Sequence, residues 1–241
     1  MTESTSEPIS APELPSSRSL IVTLGVIAML SGLFIVLAYQ LTKPQIALNR
    51  QRAMEKAIFA VIPEATSRTN LKVDASGLKV LPDDAFAEAN VFAAYNAKGE
   101  LAGLAMEASA RGYQDVVTVL YGYSLDSQSI IGMTVLDSRE TPGLGDRVES
   151  DPGFIANFEN LDARLTDDGS AIANPIVTVK NGKKTQAWQI DGISGATVTS
   201  TAIGNGLRES TGRLLPLVVK FQASIDRVRT DLPANTEGGN P

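Results

Sequence analysis

The chain contains neither cysteine nor histidine in its 241 residues. Those two absences remove disulfides, thiolate-held iron–sulfur clusters, Cys/His zinc sites and His-ligated haem, together with every Ser-His-Asp or Cys-His nucleophile system. An excess of positive charge is also missing: 21 Lys and Arg stand against 27 Asp and Glu, for a formal net charge of −6 and a pI of about 4.8. Such a chain has no long-range basic field, so no nucleic-acid partner is expected. The phosphate-loop patterns G-x-x-x-x-G-K-[ST] and G-x-G-x-x-G do not occur, and no internal repeat is visible. If the protein handles electrons, it needs an organic cofactor.

What is present is 43% hydrophobic residues, enough for one globular domain with a membrane segment and polar tails. Residues 1–17 are rich in Ser, Pro and Glu and read as a disordered tail. Leu20 to Leu41 then run without a charge, and about 20 such residues in a helix span the hydrocarbon core. A transmembrane helix is therefore predicted within 18–42. The alternative is a cleaved signal peptide, for which Val36-Leu37-Ala38 would serve as a cleavage site. Against it stand the length of the run and the preceding Glu3, Glu7 and Glu13, where a basic cluster would be needed. Arg18 precedes the run while Lys43, Arg50, Arg52 and Lys56 follow it, so local charge alone places the C-terminal part in the cytoplasm.

Residues 43–63 read as a stalk helix. Ala47, Met54, Ile58 and Val61 recur at helical spacing from Pro44 onward, until Pro63 stops them. A domain over 64–229 follows, with strands predicted at Val91–Tyr95, Leu101–Met106, Val116–Tyr121 and Ile130–Leu136. A further hairpin is predicted from Ile176–Lys180, the turn Asn181-Gly182, and Thr185–Ile190. Ser200–Leu215 reads as a helix interrupted by Pro216; Leu217, Phe221, Ile225 and Val228 mark another. Residues 230–241 form a polar tail. The fold class is α+β: one N-terminal transmembrane helix, then an antiparallel-sheet domain with flanking helices.

Two segments carry chemistry. Asp191-Gly192-Ile193-Ser194-Gly195-Ala196-Thr197-Val198-Thr199-Ser200 lies between a predicted strand and a predicted helix. Ser194, Gly195 and Ala196 are small enough to let a bulky group approach the backbone, Thr199 or Ser200 can cap the helix, and a helix N-terminus favours a phosphate. Taken alone, the same residues also describe an ordinary strand-to-helix turn. The second segment is Glu140-Thr141-Pro142-Gly143-Leu144-Gly145-Asp146, a turn in which Pro142 presets φ and two glycines permit close approach by a ligand. An ordinary loop closing the preceding strand would look alike.

Together, Gly112–Tyr123 (GYQDVVTVLYGY), Glu140–Asp146 (ETPGLGD) and Asp191–Ser200 (DGISGATVTS), in that order, resemble the FMN-binding domain family. The family includes the G subunit of Rnf complexes and the C subunit of sodium-translocating NADH:quinone reductases. The stretch TKPQIALNRQR at Thr42–Arg52 is more similar to the Rnf branch. The resemblance implies FMN held covalently through a phosphoester to Thr197, installed by a flavin transferase that uses FAD. It implies Ser194, Gly195, Ala196 and Thr199 at the phosphate end, and Glu140, Thr141, Gly143 and Leu144 near the ring or ribityl chain. Thr197 is then an acceptor and not a catalytic nucleophile. Asp191 has two open readings, transferase recognition or a solvated turn carboxylate. Relatives often place histidine before E-T-P-G-L-G; here Asp137-Ser138-Arg139 precede it, so no imidazole tunes a flavin.

The implied function is electron transfer within a membrane complex that couples ferredoxin/NAD chemistry to ion translocation. Its partners would be the other subunits, the transferase and membrane lipid. The resemblance also implies the bacterial inner membrane with the domain on the periplasmic side, against the local charge count. The alternatives are a membrane-anchored structural or interaction module without flavin, the C subunit of a quinone-reducing complex, and a flavin-bearing regulator.

Overall fold

The computed structural model describes residues 16–228. The tails expected at 1–17 and 230–241 lie outside them, apart from Ser16 and Ser17. The described chain divides into two compact units, the first ending at Arg50 and the second beginning at Gln51.

Helix α1 runs Ser17–Val61. In the first unit its apolar run is wholly exposed, and it is long and apolar enough to cross a membrane. Where the sequence suggests a membrane helix and a separate stalk helix meeting at Pro44, the two are one helix. Pro44 removes a single N–H, which leaves only the Gln40 carbonyl without its usual intrahelical donor.

The second unit is built on a seven-stranded sheet. Its strands are β1 (Ser67–Asp74), β2 (Gly77–Leu81), β3 (Val91–Tyr95), β4 (Leu101–Arg111), β5 (Val116–Ser124), β6 (Ser129–Asp137) and β7 (Leu161–Asp162). They lie in the order β2-β1-β3-β4-β5-β6-β7, with every pairing antiparallel. The two-residue side-chain period splits the central strands between two cores. Val91, Ala93, Tyr95, Leu104, Met106, Val119, Tyr121 and Tyr123 belong to one cluster with Ile203, Leu207 and Leu214. Phe92, Ala94, Ala105 and Leu120 pack with Met54, Ala57, Ile58 and Val61 at the end of α1. All five residues of β3 are therefore buried. Gly132 lets α1 come down on the sheet, since a Cβ there would lie 2.7 Å from the Val61 carbonyl oxygen.

A short helix α2 (Pro152–Ile155), flanked by 3-10 turns at Gly145–Glu149 and Ala156–Phe158, leads to β7. Strands β8 (Val177–Val179) and β9 (Gln189–Asp191) pair in parallel, not as the expected hairpin. The Asn181-Gly182 turn does form, with Gly182 at φ +73 and Lys183 N–H donating to the Lys180 carbonyl. A second reversal follows, where Gln189 Oε1 accepts from the Thr185 and Gln186 N–H groups. Two reversals restore the original direction, hence the parallel pairing.

Helix α3 (Thr197–Lys220) passes through Pro216, where an interruption was expected, and α4 (Gln222–Val228) follows. The carbonyl that Pro216 deprives of a donor belongs to exposed Gly212, where water can serve.

Candidate functional site

The N-terminus of α3 and the Glu140–Asp146 turn meet. Glu140, buried at 6% exposure, sits shortly after β6, and its carboxylate gathers donors from two other parts of the chain. Oε1 accepts from the N–H groups of Gln114 (3.0 Å) and Asp115 (3.4 Å). Oε2 accepts from Tyr113 N–H (3.2 Å) and the Thr199 hydroxyl (2.5 Å). Desolvation pushes the Glu140 pKa up. The hydrogen bonds from Thr199 and from the Gln114, Tyr113 and Asp115 backbone outweigh it, so the carboxyl stays below its ordinary value.

Two glycines make room for this carboxylate. A Cβ on Gly112 would lie 2.6 Å from Glu140 Oε1, and one on Gly145 would lie 2.7 Å from both Cβ and Oε2 of Glu140. The sequence suggests that the second of these spaces admits a ligand, but the chain's own glutamate fills it. Gly143 is different: its φ of +76 favours glycine, with nothing within 4 Å of a Cβ.

The hydroxyls of the Ser194–Ser200 segment have separate fates. Thr199, 1% exposed, is engaged by Glu140. Ser200 is fully buried; it donates to the Ala196 carbonyl (2.9 Å) and accepts from Ile193 N–H (3.2 Å). Neither caps α3, contrary to expectation: the N-cap is Ala196, with no side-chain bond. Thr197, the first helical residue, is exposed, as are Ser194 and Gly195. Its N–H and those of Val198 and Thr199 fall in the first turn, where no intrahelical carbonyl reaches them. Gly195 takes φ +89, and the nearest atom to a Cβ there would be Leu144 Cδ2 at 3.8 Å, which brings the two motifs within side-chain contact. Leu144 (50% exposed), Val198 (52%) and Tyr113 (71%) are large hydrophobic side chains left in solvent on these same segments.

Two residues that the sequence does not single out shape the site. Arg147 donates to the Ser194 carbonyl (3.2 Å) and to Asp151 (2.9 Å), which pins the Ser194 turn. Buried Asn157 brackets Asp191, accepting from its N–H (3.0 Å) and donating to its carbonyl (3.2 Å). Nothing in the local sequence marks either one. The Asp191 carboxylate itself accepts from Gly182 and Lys183 N–H, so it also holds the preceding turn. Arg139 stays 76% exposed beside Asp115 (3.7 Å). A separate cleft of about 240 Å³, lined by Glu107, Ser109, Glu209 and Arg213 among others, contains no residue of either motif.

Residues 112–211 match the FMN-binding domain family, the segment that carries all three motifs. The G subunit of the ion-translocating oxidoreductase complex of Methanosarcina acetivorans is 28% identical over 193 residues, covering 79% of this chain and 90% of the relative. The corresponding G subunit from Vibrio vulnificus is 28% identical, over 78% of this chain and 85% of its own length. The crystal structure of the C subunit of a sodium-translocating NADH-quinone reductase from Parabacteroides distasonis shares the fold. It has a TM-score of 0.56 and 22% identity, covering 72% of this chain and 94% of that one. The resemblance read from the motifs is thereby borne out, as is the α+β architecture.

Proposed function

Proceeding from that resemblance, we propose that the chain is a subunit of an ion-translocating oxidoreductase complex that carries electrons on FMN bonded to Thr197. One observation supports the attachment point above others. Of the hydroxyls on Thr197, Thr199 and Ser200, that of Thr197 alone belongs to an exposed residue, and it stands beside first-turn N–H groups that no intrahelical carbonyl engages. FMN supplies, when bound, the one- and two-electron chemistry that no side chain of this chain provides.

Attachment requires the Thr197 oxygen to bond to the flavin-side phosphorus of FAD. The P–O–P bridge breaks, AMP departs as the leaving group, and the hydroxyl proton passes to a base on the transferase. Thr197, Val198 and Thr199 N–H groups would hold the phosphate oxygens, at the positive end of the α3 dipole. Gly195, where a side chain would meet only Leu144 Cδ2 at 3.8 Å, admits the phosphate, and Ser194 offers a further hydroxyl. Leu144, Val198 and Tyr113 would shelter an apolar ring from water; Thr141 and Gly143 border Leu144 on the same turn. Glu140 serves from behind, through the backbone of the loop and the Thr199 hydroxyl. The residues present therefore fit the group.

The apolar part of α1 anchors the chain in the inner membrane, with lipid around it. An uncharged single helix cannot line an ion path, so translocation belongs to neighbouring subunits. The family resemblance favours the periplasmic face for the domain, and the local charge count does not bar it, because long domains translocate largely regardless of nearby charge. Donor and acceptor chemistry of the ferredoxin/NAD type is what the motif resemblance to the Rnf branch implies, and the sequence relatives are G subunits of ion-translocating oxidoreductase complexes.

The test is the intact mass of the denatured full chain after co-production with an active flavin transferase, beside Thr197→Val. Added mass matching FMN, absent from the variant, is expected. An unmodified wild-type chain, with the transferase active on a control acceptor, would overturn the reading in favour of a flavin-free anchored module.

A further inference from the structure

Glu140 joins two separate segments beside the motif that carries Thr197, and the four hydrogen bonds to its carboxylate all come from groups of the chain itself. Its two oxygens accept four hydrogen bonds, three from consecutive backbone N–H groups of the Tyr113–Asp115 loop and one from Thr199. It lies in a slot that exists only because Gly112 and Gly145 lack side chains. Thr199 sits two residues past Thr197 on the same helix, so the bond to Glu140 fixes the rotation of the first turn of α3. With Thr199 held inward, Thr197 is left outward.

We propose that Glu140 is a positioning residue: it latches the Tyr113–Asp115 loop to Thr199 and thereby presents Thr197 for flavin attachment. This deepens the flavin reading and rests on it. The latch is matched to an ionised carboxylate, because three of the four partners are backbone N–H groups that can only donate and the Thr199 hydroxyl donates as well. Glutamine has nearly the same shape, but in either orientation its NH₂ would face at least one backbone N–H of the Tyr113–Asp115 loop and leave it unpaired. Losing hydrogen bonds to a charged acceptor corresponds to roughly tenfold or more in local opening.

The experiment uses the full chain and three variants, Glu140→Gln, Thr199→Val and Thr199→Ser. Backbone hydrogen exchange of the 112–116 segment is followed in chain produced without transferase. Flavin occupancy by intact mass and the visible circular dichroism of the attached flavin are followed in chain produced with it. Glu140→Gln is expected to speed exchange at Tyr113–Asp115 by about tenfold or more. Thr199→Val is expected to lower occupancy and alter the flavin dichroism, and Thr199→Ser, which keeps the hydroxyl, to restore both. The Thr199 pair decides the matter if Glu140→Gln does not fold. Unchanged exchange in Glu140→Gln, or wild-type occupancy and dichroism in Thr199→Val, would overturn the latch. If the wild type takes no flavin while Glu140→Gln still loses its exchange protection, the latch between loop and helix stands and the flavin reading alone falls.

Discussion

The Tyr121 hydroxyl lies 3.0 Å from Ser210 Oγ, and the direction of that bond follows from its neighbour. Ser210 has one proton, which it donates to the Glu107 carbonyl at 2.7 Å, so within the pair Tyr121 is the donor, with Met106 Sδ a weak second acceptor at 3.8 Å. The relay ties β5 to α3 and α3 to β4 inside the larger core, and burial pushes the Tyr121 phenol well above its ordinary pKa. Tyr121→Phe removes an end of the relay and should cost about 1 kcal/mol. Ser210→Ala removes the middle and breaks both hydrogen bonds at once, for about 1–3 kcal/mol. Urea unfolding of the two variants checks the order; equal losses would mean that the bond to the Glu107 carbonyl adds nothing.

Glu140 makes stability depend on acid in a definite sense. Its folded pKa lies below the unfolded value, so the contribution is fully present above the ordinary glutamate pKa of about 4.3. It is lost as pH falls through the lower folded value. Wild type should therefore converge on Glu140→Gln in stability as pH drops through that window. Denaturant midpoints at a series of acidic pH values would show it; a constant gap between the two proteins would refute it.

Gly143 and Gly145 should respond differently to substitution although they share one turn. At Gly145 the obstacle is space, with a Cβ 2.7 Å from Glu140 and 3.0 Å from the Thr199 hydroxyl, so Gly145→Ala should cost roughly 1–3 kcal/mol. At Gly143 the obstacle is the φ of +76, with open space around it. Asparagine tolerates that region, so Gly143→Asn should cost less than Gly143→Val. Thermal melts of the set would expose a reversed order.

Truncation should separate the two units of the chain at Gln51. A chain beginning there keeps Met54, Ala57, Ile58 and Val61 over Phe92, Ala94, Ala105 and Leu120, and should unfold cooperatively. A chain beginning at Glu64 uncovers that face. It should lose several kcal/mol, since each large buried side chain is worth about 1.5–3 kcal/mol. Dye binding to exposed apolar surface and urea midpoints would distinguish them.

Strand β3 is legible to its ends because Val91–Tyr95 is apolar throughout and bounded by turn residues. Its neighbours β4, β5 and β6 are legible in place but run longer than their apolar stretches suggest. Strands β1 and β2 are not, since Arg68, Thr69, Asn70 and Lys72 disguise the first. Asn70 is fully buried there, its amide donating to the Pro82 (2.9 Å) and Asp83 (3.2 Å) carbonyls while its oxygen accepts from Arg68. Carbonyls a dozen residues away offset the cost of that burial, and no local pattern announces them. The prolines mislead for a related reason, because α1 and α3 are held by more than the single bond each proline removes.

From its sequence alone, the chain determined an uncharged run fit for a membrane, a core β-strand, and two small-residue motifs placed where strand gives way to helix or turn. Periodicity and backbone preference are local, so they survive without the fold. What tertiary structure decided is which hydroxyl is free and which carboxylate is engaged. Thr197, Thr199 and Ser200 are alike as letters; they differ because Glu140, brought from 59 residues away, takes one of them, the Ala196 turn takes another, and only Thr197 is left facing water.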